Sequence, residues 1–247
     1  MKKKLRAFVL SLFSLFFISV HSHSDTLKVV LYDGGSPPLF FAKDDGNTGI
    51  YVDLLMAIGK ETGHTFEFIH LPTKRAMALF EQGEVHLEPG INPLWRNDSK
   101  VPGEYSIPFA QAADVVIFPK GSLKPVSSAS DLSGMKVGTI KGFFYPGYMD
   151  AFASRQLIRQ DSLNEDKLML KLANNRIDTA FIRKEAALYR IKTNPKLKTV
   201  EVGNEIGSAD IMFRIHPSKS SILGDINQAI TNLKANGTIE QIYTTYR

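Results

Sequence analysis

The chain has 247 residues, 43% of them apolar, with 30 Lys and Arg against 25 Asp and Glu and no cysteine. This excludes disulfides, a lipidated cysteine and thiol catalysis, and it leaves core burial to stabilise the fold. The formal charge of +5 overstates the basic character, because Lys2, Lys3, Lys4 and Arg6 carry four of those charges.

Residues 1–24 predict a secretory signal peptide: a basic start, an apolar run over 7–20, and Ser22 and Ser24 ahead of a cleavage point before Asp25. That run of 14 residues is shorter than the roughly 18 that a membrane anchor needs. The remainder, about +1 in charge, has no dense basic stretch, which argues against a nucleic-acid partner. The expectation is a soluble, exported protein that is not a lipoprotein, long enough for one large domain or two small lobes.

Next, residues 27–32 (LKVVLY) read as a strand, ended by the turn sequence 33–38. Residues 51–62 place Leu54, Leu55 and Ile58 on one helical face, and Gly63 stops the helix. A strand over 65–70, a helix over 73–82 and a short strand over 85–88 follow. This β-α-β-α-β order predicts a parallel sheet covered by helices. A second unit repeats it, with strands over 115–118, 136–140 and 179–182, and helices over 145–154, 164–174 and 185–192. Leu168, Met169 and Leu172 are expected to face inward. The chain ends with a strand over 209–215, a helix over 222–235 and a short terminal helix after Gly237.

Several segments, in this order, resemble the family 3 extracellular solute-binding proteins. They are Gly49-Ile50-Tyr51-Val52-Asp53-Leu54, Pro72-Thr73-Lys74-Arg75 with Gly83-Glu84-Val85, Tyr105-Ser106-Ile107-Pro108-Phe109, residues 131–138 (DLSGMKVG), residues 175–180 (NRIDTA) and residues 235–239 (ANGTI). Each is weak alone; order and spacing together carry the likeness, which covers nearly all of the chain beyond the leader. The resemblance implies a periplasmic-binding-protein-like α/β fold of two lobes that close on a solute by a hinge. The expected division is residues 25–112 plus 208–247 for lobe one and 113–207 for lobe two, with hinges near 111–114 and 207–210. It also implies a monomer in the periplasm, with a membrane transporter permease or a membrane sensor as partner.

In open α/β sheets, ligands lie beyond the carboxyl ends of the strands. That rule selects Tyr32, Asp33, Phe40, Glu88, Trp95 and Arg96 from the first unit, and Lys141, Phe143 and Arg183 from the second. Arg96 matches the family arginine that grips a ligand carboxylate, which a guanidinium fork does through paired hydrogen bonds. Three departures stand out. Residues 92–95 (NPLW) replace the usual threonine-rich run. Arg183 stands where the family places the aspartate that holds a ligand ammonium, and Phe143 stands where a serine or threonine often donates. Two alternatives follow: Glu88 or Asp33 supplies the missing negative charge, or the ligand lacks an ammonium and pairs with Arg96 and Arg183. In the second case Lys141-Gly142, before a helix amino terminus, would add attraction for an anion. Arg183 paired internally with Glu185 or Asp178 is the structural alternative. Tyr32, Phe40, Phe143, Phe144 and Tyr145 are expected to line the cleft, and Trp95 to form its wall or to pack in a core.

No metal motif, phosphate loop or nucleophile elbow occurs, so no metal or cofactor is expected. A binding protein is the favoured class. A dehydratase-like enzyme on the same fold is the runner-up, with Glu88, Lys141 or Asp33 as its possible acid or base.

Overall fold

The computed structural model describes residues 26–246; the predicted leader, residues 1–24, lies outside them. The elements in chain order are β1 (Thr26–Tyr32), α1 (Ile50–Thr62), β2 (Thr65–Leu71), α2 (Thr73–Glu81), β3 (Leu87–Ile91), β4 (Glu104–Tyr105), β5 (Ala110–Pro119), β6 (Lys136–Ile140), α3 (Met149–Ala153), β7 (Ile158–Ser162), α4 (Glu165–Ala173), β8 (Thr179–Arg183), α5 (Lys184–Thr193), β9 (Val200–Ile215), α6 (Leu223–Ala235) and α7 (Thr238–Tyr246).

The sheet runs β2-β1-β3-β9-β5-β8-β6-β7, with β4 beside β9. It is mixed rather than parallel throughout. β1 pairs parallel with β2 and β3, and β6 with β7 and β8. The middle is antiparallel, because β9 pairs with β3 and β5, and β5 with β8. β5 and β9 run from one half of the molecule into the other.

Strand periodicity decides which side chains each face buries. In β1, Leu27, Val29 and Leu31 pack against α1, α6 and α7, while Val30 faces Leu71, Ala76 and Phe80 on the side of α2. Both faces are covered, which is why LKVVLY shows so little polar alternation. The other half repeats this. Val115, Ile117, Ala180 and Ile182 pack with Leu168, Leu172 and Ala186 on one face. Val116, Phe118 and Phe181 pack with Tyr145, Tyr148 and Leu157 on the other. Leu168, Met169 and Leu172 are buried as expected. Gly63 ends α1 in the left-handed region (φ 79°), its N–H donating to the Gly59 carbonyl.

Several boundaries differ from the sequence reading. The helix expected over 145–154 is confined to Met149–Ala153, because Pro146-Gly147 forms a turn ahead of it. The strands expected over 115–118 and 209–215 extend to Ala110–Pro119 and Val200–Ile215, pairing along nearly their whole length. The strand expected over 85–88 is Leu87–Ile91. The polar strand β7 (IRQDS) gave no apolar signal. Among the described residues, no helix is long and apolar enough to cross a membrane.

Candidate functional site

The carboxyl end of β1 and the start of β3 meet around one buried carboxylate, Glu88. Cross-strand register places Glu88 opposite Arg214 of β9, and the Arg214 Nη1 donates to Glu88 Oε2 at 2.9 Å. Both side chains are 1% exposed. Arg214 also donates to the carbonyls of Pro102 and Val101, and its guanidinium lies 3.9 Å from the Phe80 ring centroid. This buried cation therefore has a carboxylate, two carbonyls and an aromatic face as partners, which is what burial of a guanidinium requires.

Arg96, on the short 3₁₀ turn Pro93–Arg96, holds Glu88 from the other side. Its Nε donates to Oε2 at 3.1 Å and its Nη2 to Oε1. Nη2 also donates to the Tyr32 hydroxyl at 3.1 Å, and Tyr32 donates in turn to Glu88 Oε1. Nη1 donates to the Trp95 carbonyl at 3.0 Å. Burial, and then the Glu88 charge, raise the Tyr32 phenol above its ordinary value, so it stays protonated. For Arg96, burial opposes the charge, but the hydrogen bonds and charge of Glu88 outweigh it. Two guanidiniums against one carboxylate leave this cluster one net positive charge, and Arg96 is its more exposed end, at 18%.

Glu88 is thus a support for Arg96 and not an unengaged anion: both its oxygens are taken, by Arg96, Arg214 and Tyr32. Asp33 is exposed at the end of β1, where its N–H donates to the Leu71 carbonyl. Phe40 is buried, edge-on to Tyr32 and stacked on Tyr51. Tyr51 in turn fills the space beside Gly90. A Cβ on Gly90 would lie 2.2 Å from the Tyr51 hydroxyl, and its φ of 73° sits at the bulge in β3.

In the second half, Arg183 is paired internally, as the structural alternative has it, with Asp114. Its Nε meets Asp114 Oδ1 at 3.0 Å, from the directly paired position on β5. Its guanidinium carbon lies 5.8 Å from the Trp95 ring centroid, so a side chain at the end of β8 reaches one on the 3₁₀ turn that follows β3. Burial raises the Asp114 carboxyl above its usual value, with Arg183 opposing. Lys141 is exposed, and Phe143 and Phe144 are exposed by 50% and 68%. Arg159 Nη2 ties this loop down at the Phe143 carbonyl, 3.1 Å away. The expected helix amino terminus after Lys141-Gly142 is not there; α3 begins at Met149 and has five residues. Tyr145 is not in the cleft either. It is buried in the core, accepts from the Ile140 N–H, and has its phenol pushed up to about 12 by burial first.

Three further contacts join the halves. Arg190 Nη1 donates to the Pro37 carbonyl at 2.7 Å, Ser36 Oγ to Glu165 Oε1 at 3.4 Å, and Phe41 meets Tyr189 edge-on. Sequence reasoning passed over Arg214, Asp114 and Arg190. The first two had a signal, as lone charges inside apolar runs (IMFRI and AADVVIF); Arg190 had none. A groove of about 450 Å³ between residues 123–127 and 202–204 touches none of the candidate residues. Among the described residues, no group of three His, Cys, Asp or Glu is placed to hold a metal ion.

Two α/β halves joined by crossing strands, with charged and aromatic side chains gathered at the strand ends between them, define a cleft-type binding fold. The sequence matches the bacterial extracellular solute-binding proteins, family 3, over residues 29–247, and the chain belongs to that family. Over 220 residues it is 26% identical to the L-cystine-binding protein TcyJ of Escherichia coli K12, covering 88% of this chain and 80% of that protein. Its fold is similar to that of an ancestral arginine-binding protein bound to arginine, with a TM-score of 0.70 and 24% identity over 90% of this chain and 97% of that one. It is also similar to the ancestral amino acid-binding protein AncCDT-1, a precursor of cyclohexadienyl dehydratase, with a TM-score of 0.69 and 21% identity over 90% and 95%. At these identities the structural likeness establishes the fold.

Proposed function

We propose that the protein captures a small carboxylate-bearing solute in the periplasm, between a lobe of residues 25–112 and 208–247 and a lobe of 113–207, and presents it to a membrane transporter. The observation that carries this reading is Arg96: a partly exposed guanidinium at the strand ends, fixed by Glu88 and Tyr32 in a cluster of net positive charge. The hydrogen bonds described use four of its five N–H groups, so the solute carboxylate would meet the outer, Nη1 end of a cation already locked in place. Pre-organised side chains lose little freedom when the ligand arrives. The relatives named as cystine- and arginine-binding proteins support a solute with a carboxylate group.

Binding is favoured over turnover for a physical reason. A general acid or base must exchange a proton with substrate, whereas Glu88 is enclosed by two guanidiniums and a phenol. The test is a thermal-shift screen of small carboxylates against the wild type and Arg96→Ala. A solute at 100 times its dissociation constant stabilises by about 2.7 kcal/mol. The expected result is a shift in the wild type that disappears in Arg96→Ala; an equal shift in both proteins would refute the role of Arg96.

A further inference from the structure

We infer that the cleft is built for a carboxylate solute that carries no ammonium group, and that Arg183 sets this preference by engaging Asp114. The inference rests on the binding reading above and narrows it to a solute class.

An ammonium taken from water into a cleft needs acceptors, above all a carboxylate with capacity to spare. The acids beside this cleft are already engaged. Glu88 is held by Arg96, Arg214 and Tyr32. Asp114 is held by Arg183 at 3.0 Å. Glu185, buried next to Tyr51, is not free. An ammonium that reached Asp114 would also approach the Arg183 guanidinium, so attraction and repulsion would largely offset each other. Asp161 pairs with Arg159 and Glu165 with Arg190, and Asp33, at the end of β1, is exposed, where water and salt screen its pull. A carboxylate meets the opposite situation, because Arg96 and Arg183 both lie near Trp95. Specificity then comes from repulsion of the amino form as much as from attraction of the acid.

The experiment is calorimetric titration of the purified protein with amino acids and, pair by pair, the acids of the same skeleton without the amino group. The panel covers the twenty standard side chains, and Arg96→Ala, Arg183→Gln, Arg183→Lys and Asp33→Asn run alongside. The expected result is that one or more deaminated acids bind at least tenfold more tightly than their amino partners. Arg183→Gln, which releases Asp114, should then shrink that ratio by about tenfold, while Arg183→Lys should keep most of it. Amino acids binding as tightly as their deaminated partners would overturn the inference and leave the carboxylate reading intact, since Arg96→Ala would still abolish binding. The same binding lost in Asp33→Asn would overturn it by locating the ammonium site at Asp33. Binding by no acid of either kind would overturn both.

Discussion

Glu88 shows how far a residue's role depends on what lies behind it. Read along the chain, it is an acid at the end of a strand, free to meet a ligand. In the fold it is a buried counter-ion between two arginines, one of which comes from a strand 126 positions away. No local pattern could reveal that pairing; it follows from the antiparallel register of β3 and β9. Removing one member of a buried ion pair leaves its partner uncompensated, typically at about 3–5 kcal/mol. Glu88→Gln should therefore lower unfolding stability by an amount in that range, measured by urea denaturation. Glu88→Leu combined with Arg214→Met should lose less than the two single changes together. Asp131 makes a smaller, pH-dependent contribution. Backbone N–H groups of Ser127 and Ser128 hold its carboxyl below the ordinary aspartate value. A lowered native value means the stabilisation is present above about pH 4 and is lost as the pH falls through the native value. The difference in melting temperature between wild type and Asp131→Asn should accordingly shrink on acidification.

At the scale of elements, the bulge in β3 is the most constrained piece of backbone near the site. Gly90 combines a positive φ with a ring packed where a Cβ would stand. Gly90→Ala should destabilise on the order of 1–3 kcal/mol and weaken solute binding as well, because Tyr51 carries Phe40 and Phe40 abuts Tyr32. Thermal melts with and without solute would check both effects. Elements with strong apolar periodicity were legible in the sequence: α1, α4, β1, β6 and β8 lie within a residue or two of where the pattern puts them. Two of the failures have a common cause. The first half of β9 (VEVGNEIG) and all of β7 are polar, and become strands because a neighbouring strand offers its hydrogen bonds. α3 is shorter than expected for a different reason, because the Pro146-Gly147 turn delays its start to Met149.

For the whole molecule, the α/β class and the family could be read from segment order, whereas the cross-half contacts could not. Arg96 was singled out from the sequence and is central to the cluster, but its supports Arg214 and Glu88, and the Asp114 partner of Arg183, required the three-dimensional register. The cross-half contacts also carry a prediction. Arg190 is 5% exposed and reaches the Pro37 carbonyl across the halves. Arg190→Met should loosen that approach, and small-angle scattering of the solute-free protein should report a larger radius of gyration than for wild type.

The route of the chain through β5 and β9 also bears on the order in which the molecule acquires its structure. β3 gains its second neighbour only from residues 212–215, and α1 is covered by α6 and α7. The part synthesised first therefore waits, with a bare sheet edge and an uncovered helix, for the last forty or so residues. The middle of the chain needs none of them, since β5, β6, β7, β8 and the start of β9 pair among themselves. Refolding should thus proceed from the centre of the sequence outward. In pulsed hydrogen exchange, the amides of β6 and β8 should gain protection before those of β1 and β3.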